Sequence, residues 1–261
     1  MNSASIVAKI ASGVGWLTLN RPEVFNSFNR EMALSLQTQL DEMEANPDVR
    51  AIVLIGSGKA FCAGQDLQEV TRPEHNPGFK AILDEHYNPI ILRLRNIKKP
   101  VIAAVNGVAA GAGANIALAC DIVLASEKAS FIQAFSKIGL VPDSGGTFFL
   151  PRLIGFQKAS ALMMLGDKVN ASEAESLGMV YKVVAAEEFM ETVEQLANHV
   201  AKMPTQALVQ TKDLLNASLS NDLDAQLAME SKYQIAAAQS NDYAEGVAAF
   251  IEKRKPNFKG N

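Results

Sequence analysis

Residues 100–126, PVIAAVNGVAAGAGANIALACDIVLAS, constrain the fold more than any other stretch. Val101–Val105 is an unbroken apolar run. A Gly/Ala turn follows, a helix is predicted over 113–119, and a second apolar run occupies Ile122–Ala125. A strand that is apolar at every position has no face to offer to water, so it belongs in a mostly parallel sheet covered on both sides. Ala51–Ile55 is another such run, ending in the turn GSGK. Apolar strands alternating with helices predict an α/β fold.

The rest of the chain fits around that core. Ile6–Ile10 and Gly15–Leu19 predict a hairpin through Ala11–Val14. Met32, Leu36, Leu40 and Met43 fall on one stripe of a helix over 29–44, with Asn29 as its N-cap and Asn46-Pro47 as its stop. Beyond residue 155 the character changes. Segments 156–165, 172–177, 187–202, 204–219, 222–239 and 242–253 read helical, with a short strand at Met179–Val183. The layout is an α/β core over 1–200 followed by a helical oligomerisation region over 201–261.

Composition removes several classes of function. Lys and Arg are scattered over a chain of net charge −4, which leaves no basic patch for nucleic acid. The 101–125 run is interrupted by Asn106, by glycines and by Asp121, so it is not a membrane span. The N-terminus lacks a charged segment followed by a long apolar one, so no secretory signal is expected. Cys62 and Cys120 lie in different motifs, which suits a reducing cytoplasm better than a disulfide framework. His75, His86 and His199 lack metal-ligand spacing, and no phosphate-binding glycine loop is present. Neither a metal nor a nucleotide cofactor is expected.

Three segments remain that can carry chemistry. In GKAFCAGQDL (58–67), Ala63-Gly64 lets another molecule approach the backbone closely, or simply connects a strand to a helix. In VNGVAAGAGAN (105–115), a small-residue turn opens a helix whose first N–H groups are unpaired, or serves tight helix–sheet packing. Two such turns on neighbouring strands can offer two N–H donors to one oxygen, an oxyanion hole. In GLVPDSGGTFFLP (139–151), Asp143 precedes a helix predicted from about Ser144 to Leu153. Its spacing alone leaves it open between helix cap and reagent.

Taken together and in this order, these motifs resemble the crotonase superfamily of enoyl-CoA hydratases and isomerases. The resemblance runs from LTLNRPEVFNSFN (17–29) to EGVAAFIEKRKPNF (245–258), nearly the whole chain. It implies a crotonase-like ββα superhelix with a helical C-terminal trimerisation region. It also implies an acyl-CoA substrate and a homotrimer or dimer of trimers. Coenzyme A is then part of the substrate, and no further cofactor is implied. The oxyanion donors carried over are the N–H groups of Gln65 and Ala112. Where the hydratases place two glutamates, this chain has Asn115 and Phe135, neither of which is an acid or base. Asp143 matches the aspartate of the ring-epoxide phenylacetyl-CoA isomerases. An apolar setting of Phe135, Leu140, Val141, Phe148 and Phe149 is expected to tune it as a base.

The resemblance further implies CoA contacts from Glu23, Val24, Ala63, Asp66, Leu67 and Asn115, with Phe250 and Lys253 added from the C-terminal helix. Glu23 stands where many relatives have lysine. His86 and Tyr87 begin a stretch that can line the acyl pocket. Competing expectations are double-bond isomerisation in fatty-acid breakdown, a hydrolytic reaction with Asp143 as nucleophile, and a non-catalytic CoA- or RNA-binding member of the fold.

Overall fold

The computed structural model describes residues 4–71 and 76–261. Strands β1 (Ile6–Ala11) and β2 (Val14–Leu19) form the expected hairpin, paired from Ile6–Leu19 to Ala11–Val14. Helix α1 (Arg30–Ala45) follows. The Asn29 side chain caps it by accepting from Met32 N at 3.0 Å, and Met32, Leu36, Leu40 and Met43 are all buried.

From there the chain repeats one pattern: a long strand, a tight bend, a short strand, then a helix. β3 (Ala51–Gly56) leads to β4 (Ala60–Cys62). After helix α2 (Asn88–Asn96), β5 (Val101–Val105) leads to β6 (Val108–Ala110) and helix α3 (Ala112–Leu118). β7 (Ile122–Ser126) leads to β8 (Ser130–Ile132), helix α4 (Gly146–Ile154) and helix α5 (Phe156–Leu165). β9 (Lys168–Asn170), helix α6 (Ala171–Ser176) and β10 (Lys182–Val184) complete the body. Among the described residues the long strands form one sheet in the order β1-β2-β3-β5-β7-β10, and the short ones a second in the order β4-β6-β8-β9. β2, β3, β5, β7 and β10 pair in parallel. This is the ββα spiral that the resemblance implies.

The long strands are apolar throughout because both faces of their sheet are covered. Ile52 and Leu54 face a cluster that includes Leu36 and Leu40 of α1. The alternate residues Ala51, Val53 and Ile55 face a second cluster with Val193, Ala197 and Val200. Those three belong to helix α7 (Phe189–Ala201), which is followed by α8 (Thr205–Ser218), α9 (Leu223–Ala237) and α10 (Asn241–Ile251). The second sheet is absent from the sequence reading. Its strands are three residues long, too short to show a period of two.

One buried charge ties α8 to the core. Lys212 Nζ lies 2.9 Å from Asp121 Oδ2 and donates to the Leu94 carbonyl at 2.7 Å. Asp121 also accepts from Val101 N at 2.8 Å and from Arg95 at 3.2 Å. Burial pulls the Lys212 pKa down, and the Asp121 carboxylate opposes it. Asp121→Ala leaves that ammonium buried without its counter-charge. It is expected to cost about 3–5 kcal/mol in urea unfolding.

Candidate active site

The 62–66 turn uses its backbone donors selectively. Ala63 N donates to the Phe25 carbonyl at 3.0 Å, Gly64 N to Cys62 Sγ at 3.4 Å, and Asp66 N to the Phe28 carbonyl at 2.8 Å. Among the described residues the Gln65 N–H between them meets no acceptor of this chain. The second turn behaves alike. Gly111 N donates to the Ile132 carbonyl at 2.9 Å, and Ala112 begins α3, where a helix leaves its first N–H groups unpaired.

The two turns touch. Gly64 has φ +91°, and a methyl group placed on it would lie 3.5 Å from Ala112 N and 2.9 Å from the Ala110 carbonyl. A methyl on Gly113 would lie 2.4 Å from the Cys62 carbonyl. These glycines are what let the two backbones close, so two unsatisfied N–H groups share one small region. Such a pair can receive a developing negative charge.

Asp143 lies in the loop between the 3₁₀ turn Ala134–Ile138 and α4. It is not the cap of α4. The N-cap position belongs to Gly145, in a left-handed conformation, and no side chain closes that end. The carboxylate is half-buried and accepts from Ser144 Oγ at 2.8 Å. Burial pushes its pKa up, and the Ser144 hydroxyl partly opposes this. Its backbone is fixed from α3: Asn115 Nδ2 donates to the Asp143 carbonyl at 2.9 Å. Asn115 Oδ1 in turn accepts from Gln133 Nε2 at 2.7 Å. Asn115, expected among the substrate contacts, is therefore fully buried and engaged with protein at both ends of its amide. It links the aspartate to the helix that starts at Ala112. Sequence reasoning missed Gln133, because nothing in its local pattern shows that it buttresses position 115.

The apolar setting of Asp143 differs from the expected one. Val141 is 80% exposed, and Phe148 lies under the Arg152 guanidinium at 3.9 Å. Leu140 is also exposed. Phe149 and Ile91 are the side chains that approach the 143–145 loop, within 2.6 Å and 3.6 Å of a methyl built on Gly145. Phe135 is buried, with its ring 3.7 Å from a methyl built on Gly111, behind the second turn.

The expected CoA contacts divide into two groups. Val24, in the 3₁₀ turn Pro22–Val24, is partly exposed, as are Ala63 and Gln65, and Leu67 is exposed at the start of the short helix Leu67–Thr71. The Phe25–Ala63 hydrogen bond ties these two segments into one edge beside the two glycine turns. Glu23 is exposed on the same turn. Asp66 is buried, and its carboxylate pairs with Arg21 at 2.9 Å, so its side chain braces the turn. Phe250 and Lys253 are not brought to this edge within one chain. Phe250 is 85% exposed and lines a groove built only from residues 204–258.

Tyr87, read from the sequence as able to line the acyl pocket, is buried beside the first turn. Its hydroxyl donates to Gln65 Oε1 at 2.8 Å. Cys62 is not a nucleophile here, since burial pushes its thiol up to about 12. Cys120 is pushed equally high. Met163 packs against the core while Met164 is exposed. His75 lies outside the described residues, and among those described no group of three or more His, Cys, Asp or Glu is placed to hold a metal ion. Nor is any described helix long and apolar enough to cross a membrane. Gly113→Ala, which forces the turns apart, is expected to lower stability by about 1–3 kcal/mol in denaturant unfolding.

The family model of enoyl-CoA hydratase/isomerase matches residues 9–261. The chain is 46% identical to 1,2-epoxyphenylacetyl-CoA isomerase of Escherichia coli K12 over 257 residues, covering 98% of each protein. It is 37% identical to the mitochondrial enoyl-CoA hydratase of Pongo abelii, covering 94% of this chain and 83% of that one. An enoyl-CoA hydratase structure from Polaromonas sp. JS666 superimposes with a TM-score of 0.90 at 35% identity, covering 97% and 99% of the two chains. The chain is an enzyme of the enoyl-CoA hydratase/isomerase family and has the crotonase fold.

Proposed function

We propose that this enzyme isomerises acyl-CoA thioesters of the phenylacetate type. It carries the ring 1,2-epoxide to the oxepin thioester and moves a β,γ double bond to the α,β position. The observation that carries this reading is the pairing of two unsatisfied N–H groups, of Gln65 and Ala112, with one carboxylate, Asp143, whose backbone is anchored to α3. The similarity to the Escherichia coli isomerase supports the substrate class.

The mechanism follows from that inventory. The thioester oxygen accepts the two N–H groups. Asp143 removes the proton α to the carbonyl, and the electron pair moves onto the oxygen as an enolate, where each donor is worth about 10²–10³ in rate. The same carboxyl then returns the proton: to the γ carbon in the double-bond shift, or, in the epoxide reaction, to a ring carbon once the bond between the two epoxide carbons has broken and its electron pair has gone into the double bonds of the seven-membered oxepin ring. No atom is gained or lost, so one proton carrier suffices. Hydration would need a group to hold and activate water. Asn115 and Phe135, which take the places of the hydratase glutamates, do not supply one. The CoA portion lies along Glu23, Val24, Ala63 and Leu67. No further cofactor takes part. The last helices expose Leu215, Leu223, Phe250 and Ile251, which supports association of subunits; the proposed assembly is a homotrimer or dimer of trimers in which Phe250 and Lys253 contact a neighbour's CoA.

Asp143→Asn is expected to keep acyl-CoA binding, measured by calorimetry, and to lower turnover of a 3-enoyl-CoA and of the ring-epoxide thioester by at least about 10³-fold. Unchanged turnover would sink the proposal. Turnover in ¹⁸O water should leave Asp143 unlabelled by mass spectrometry. Label there would mean that it attacks as a nucleophile.

The acidic limb of the rate profile is also specified. Asp143 works as the carboxylate, so activity falls as pH drops through its pKa, which burial has raised. The limb is expected above the ordinary aspartate range. Ser144→Ala removes a hydrogen bond that favours the charged form, so it should move the limb to still higher pH, measured as kcat/KM against pH.

A further inference from the structure

Tyr87 is delivered by an uncommon piece of backbone. Ile82–Tyr87 winds as a π-helix before α2 resumes α-helical winding. Such wide turns are rare and recur at functional sites. This one is held from outside: Gln37 of α1 donates through Nε2 to the carbonyls of Glu85 at 2.7 Å and His86 at 3.2 Å. Phe28 meets the Tyr87 ring edge-on, with centroids 6.0 Å apart. The phenol is buried, and its hydroxyl is directed to Gln65 Oε1 at 2.8 Å.

The opposite end of the Gln65 amide is also held. Its Nε2 donates to Glu69 Oε2 at 2.8 Å, and Glu69 Oε1 accepts from Arg30 N at 2.8 Å. The side chain is thus clamped between two elements, while its own backbone N–H stays unsatisfied beside Ala112. Burial, and then Cys62, Asp143, Glu69 and Asp66, hold the phenol in its protonated, donating form.

We propose that Tyr87 is a positioning residue, whose hydroxyl acts through the Gln65 side chain to keep the Gln65 N–H aimed at the thioester oxygen. A donor stabilises a developing charge fully only when it is placed in advance. Phe28 holds the main chain on either side, donating to the Gly64 carbonyl at 2.7 Å and accepting from Asp66 N at 2.8 Å, and the clamped side chain restrains the tilt left to the Gln65 peptide between them. The inference rests on the reading of Gln65 and Ala112 as the enolate-stabilising pair.

Tyr87→Phe removes the hydroxyl and keeps the ring against Phe28. Two readouts apply: turnover of a 3-enoyl-CoA, and exchange of the α protons of phenylacetyl-CoA in D₂O followed by NMR. Turnover number and exchange rate are each expected to fall about tenfold, the scale of one lost hydrogen bond, with KM within about twofold of wild type. Gln65→Leu keeps the backbone N–H but loses both side-chain bonds. It should match that loss, and the double variant should be no worse than either single one. Additive losses, or undiminished exchange in Tyr87→Phe, overturn the proposal. If Tyr87→Phe does not fold, Gln65→Leu decides alone, and full activity in it overturns the proposal. A wild-type enzyme that exchanges no α protons overturns the thioester reading itself, a result independent of Tyr87.

Discussion

The site depends on one close contact between two stretches of main chain. The Cys62 carbonyl sits where a side chain on Gly113 would have to go, and the Ala110 carbonyl crowds Gly64 in the same way. Nothing larger than hydrogen fits at either place. That contact brings the Gln65 and Ala112 donors together, and it exists because β4 and β6 are parallel neighbours in the second sheet. The ββα spiral is therefore not just a scaffold for the site. β4 and β6 end side by side, and the small residues that follow them, Ala63-Gly64 and Gly111-Ala112, are packed turn against turn. Chemistry that needs two backbone donors follows from that stacking with little help from side chains.

Charge around this contact is arranged to keep the turns still. Asp66 is tied to Arg21, Asp143 is anchored through Asn115 and Gln133, and the Gln65 amide is spanned by Tyr87 and Glu69. These polar side chains hold backbone or hold each other. Asp143 differs: its carboxylate has a single serine hydroxyl as side-chain partner and is half-exposed. The contrast sets the braces apart from Asp143, the proposed proton carrier, more clearly than residue type does, since Asp66 is an aspartate as well.

Much of the fold was legible in the sequence for a simple reason. Val101–Val105 and Ala51–Gly56 are buried on both faces, so their composition reports their place directly. The stripe of α1 and its Asn29 cap are equally local. The second sheet was not legible, because three residues carry no period. Nor was the π-turn that presents Tyr87, which depends on Gln37 from α1, 48 positions away from Glu85. Within the site, the glycine turns and Asp143 could be singled out in the sequence, but spacing alone left each open between a structural and a chemical role, and the resemblance is what favoured the chemical one. Which aromatic residues would surround the aspartate did not. Val141 and Phe148 share its segment, yet they turn outward, while Ile91 comes from a distant helix. The resemblance located positions 115 and 135, and only the packing shows that Asn115 serves the aspartate.

Placing one carboxylate in a low-dielectric corner works against folding, and the sign can be followed. A group whose pKa is higher folded than unfolded holds its proton more tightly in the native state. Its contribution to stability is therefore complete below the unfolded value and is lost as pH rises through the folded one. At neutral pH the ionised Asp143 is a net liability, and the Ser144 hydroxyl offsets only part of it. The chain carries that cost next to a frame of hydrogen-bonded polar side chains, in which the buried Gln133 Oε1 alone lacks a partner among the described residues of that frame, and a spiral core covered on both faces. A better-paired aspartate would stabilise the fold, but its lower pKa would make it a weaker base. The sparse pairing of Asp143, with one serine hydroxyl as its side-chain partner, is thus the feature that the proposed proton transfer needs, and the bracing of Asn115, Gln65 and Asp66 is what allows the fold to tolerate it.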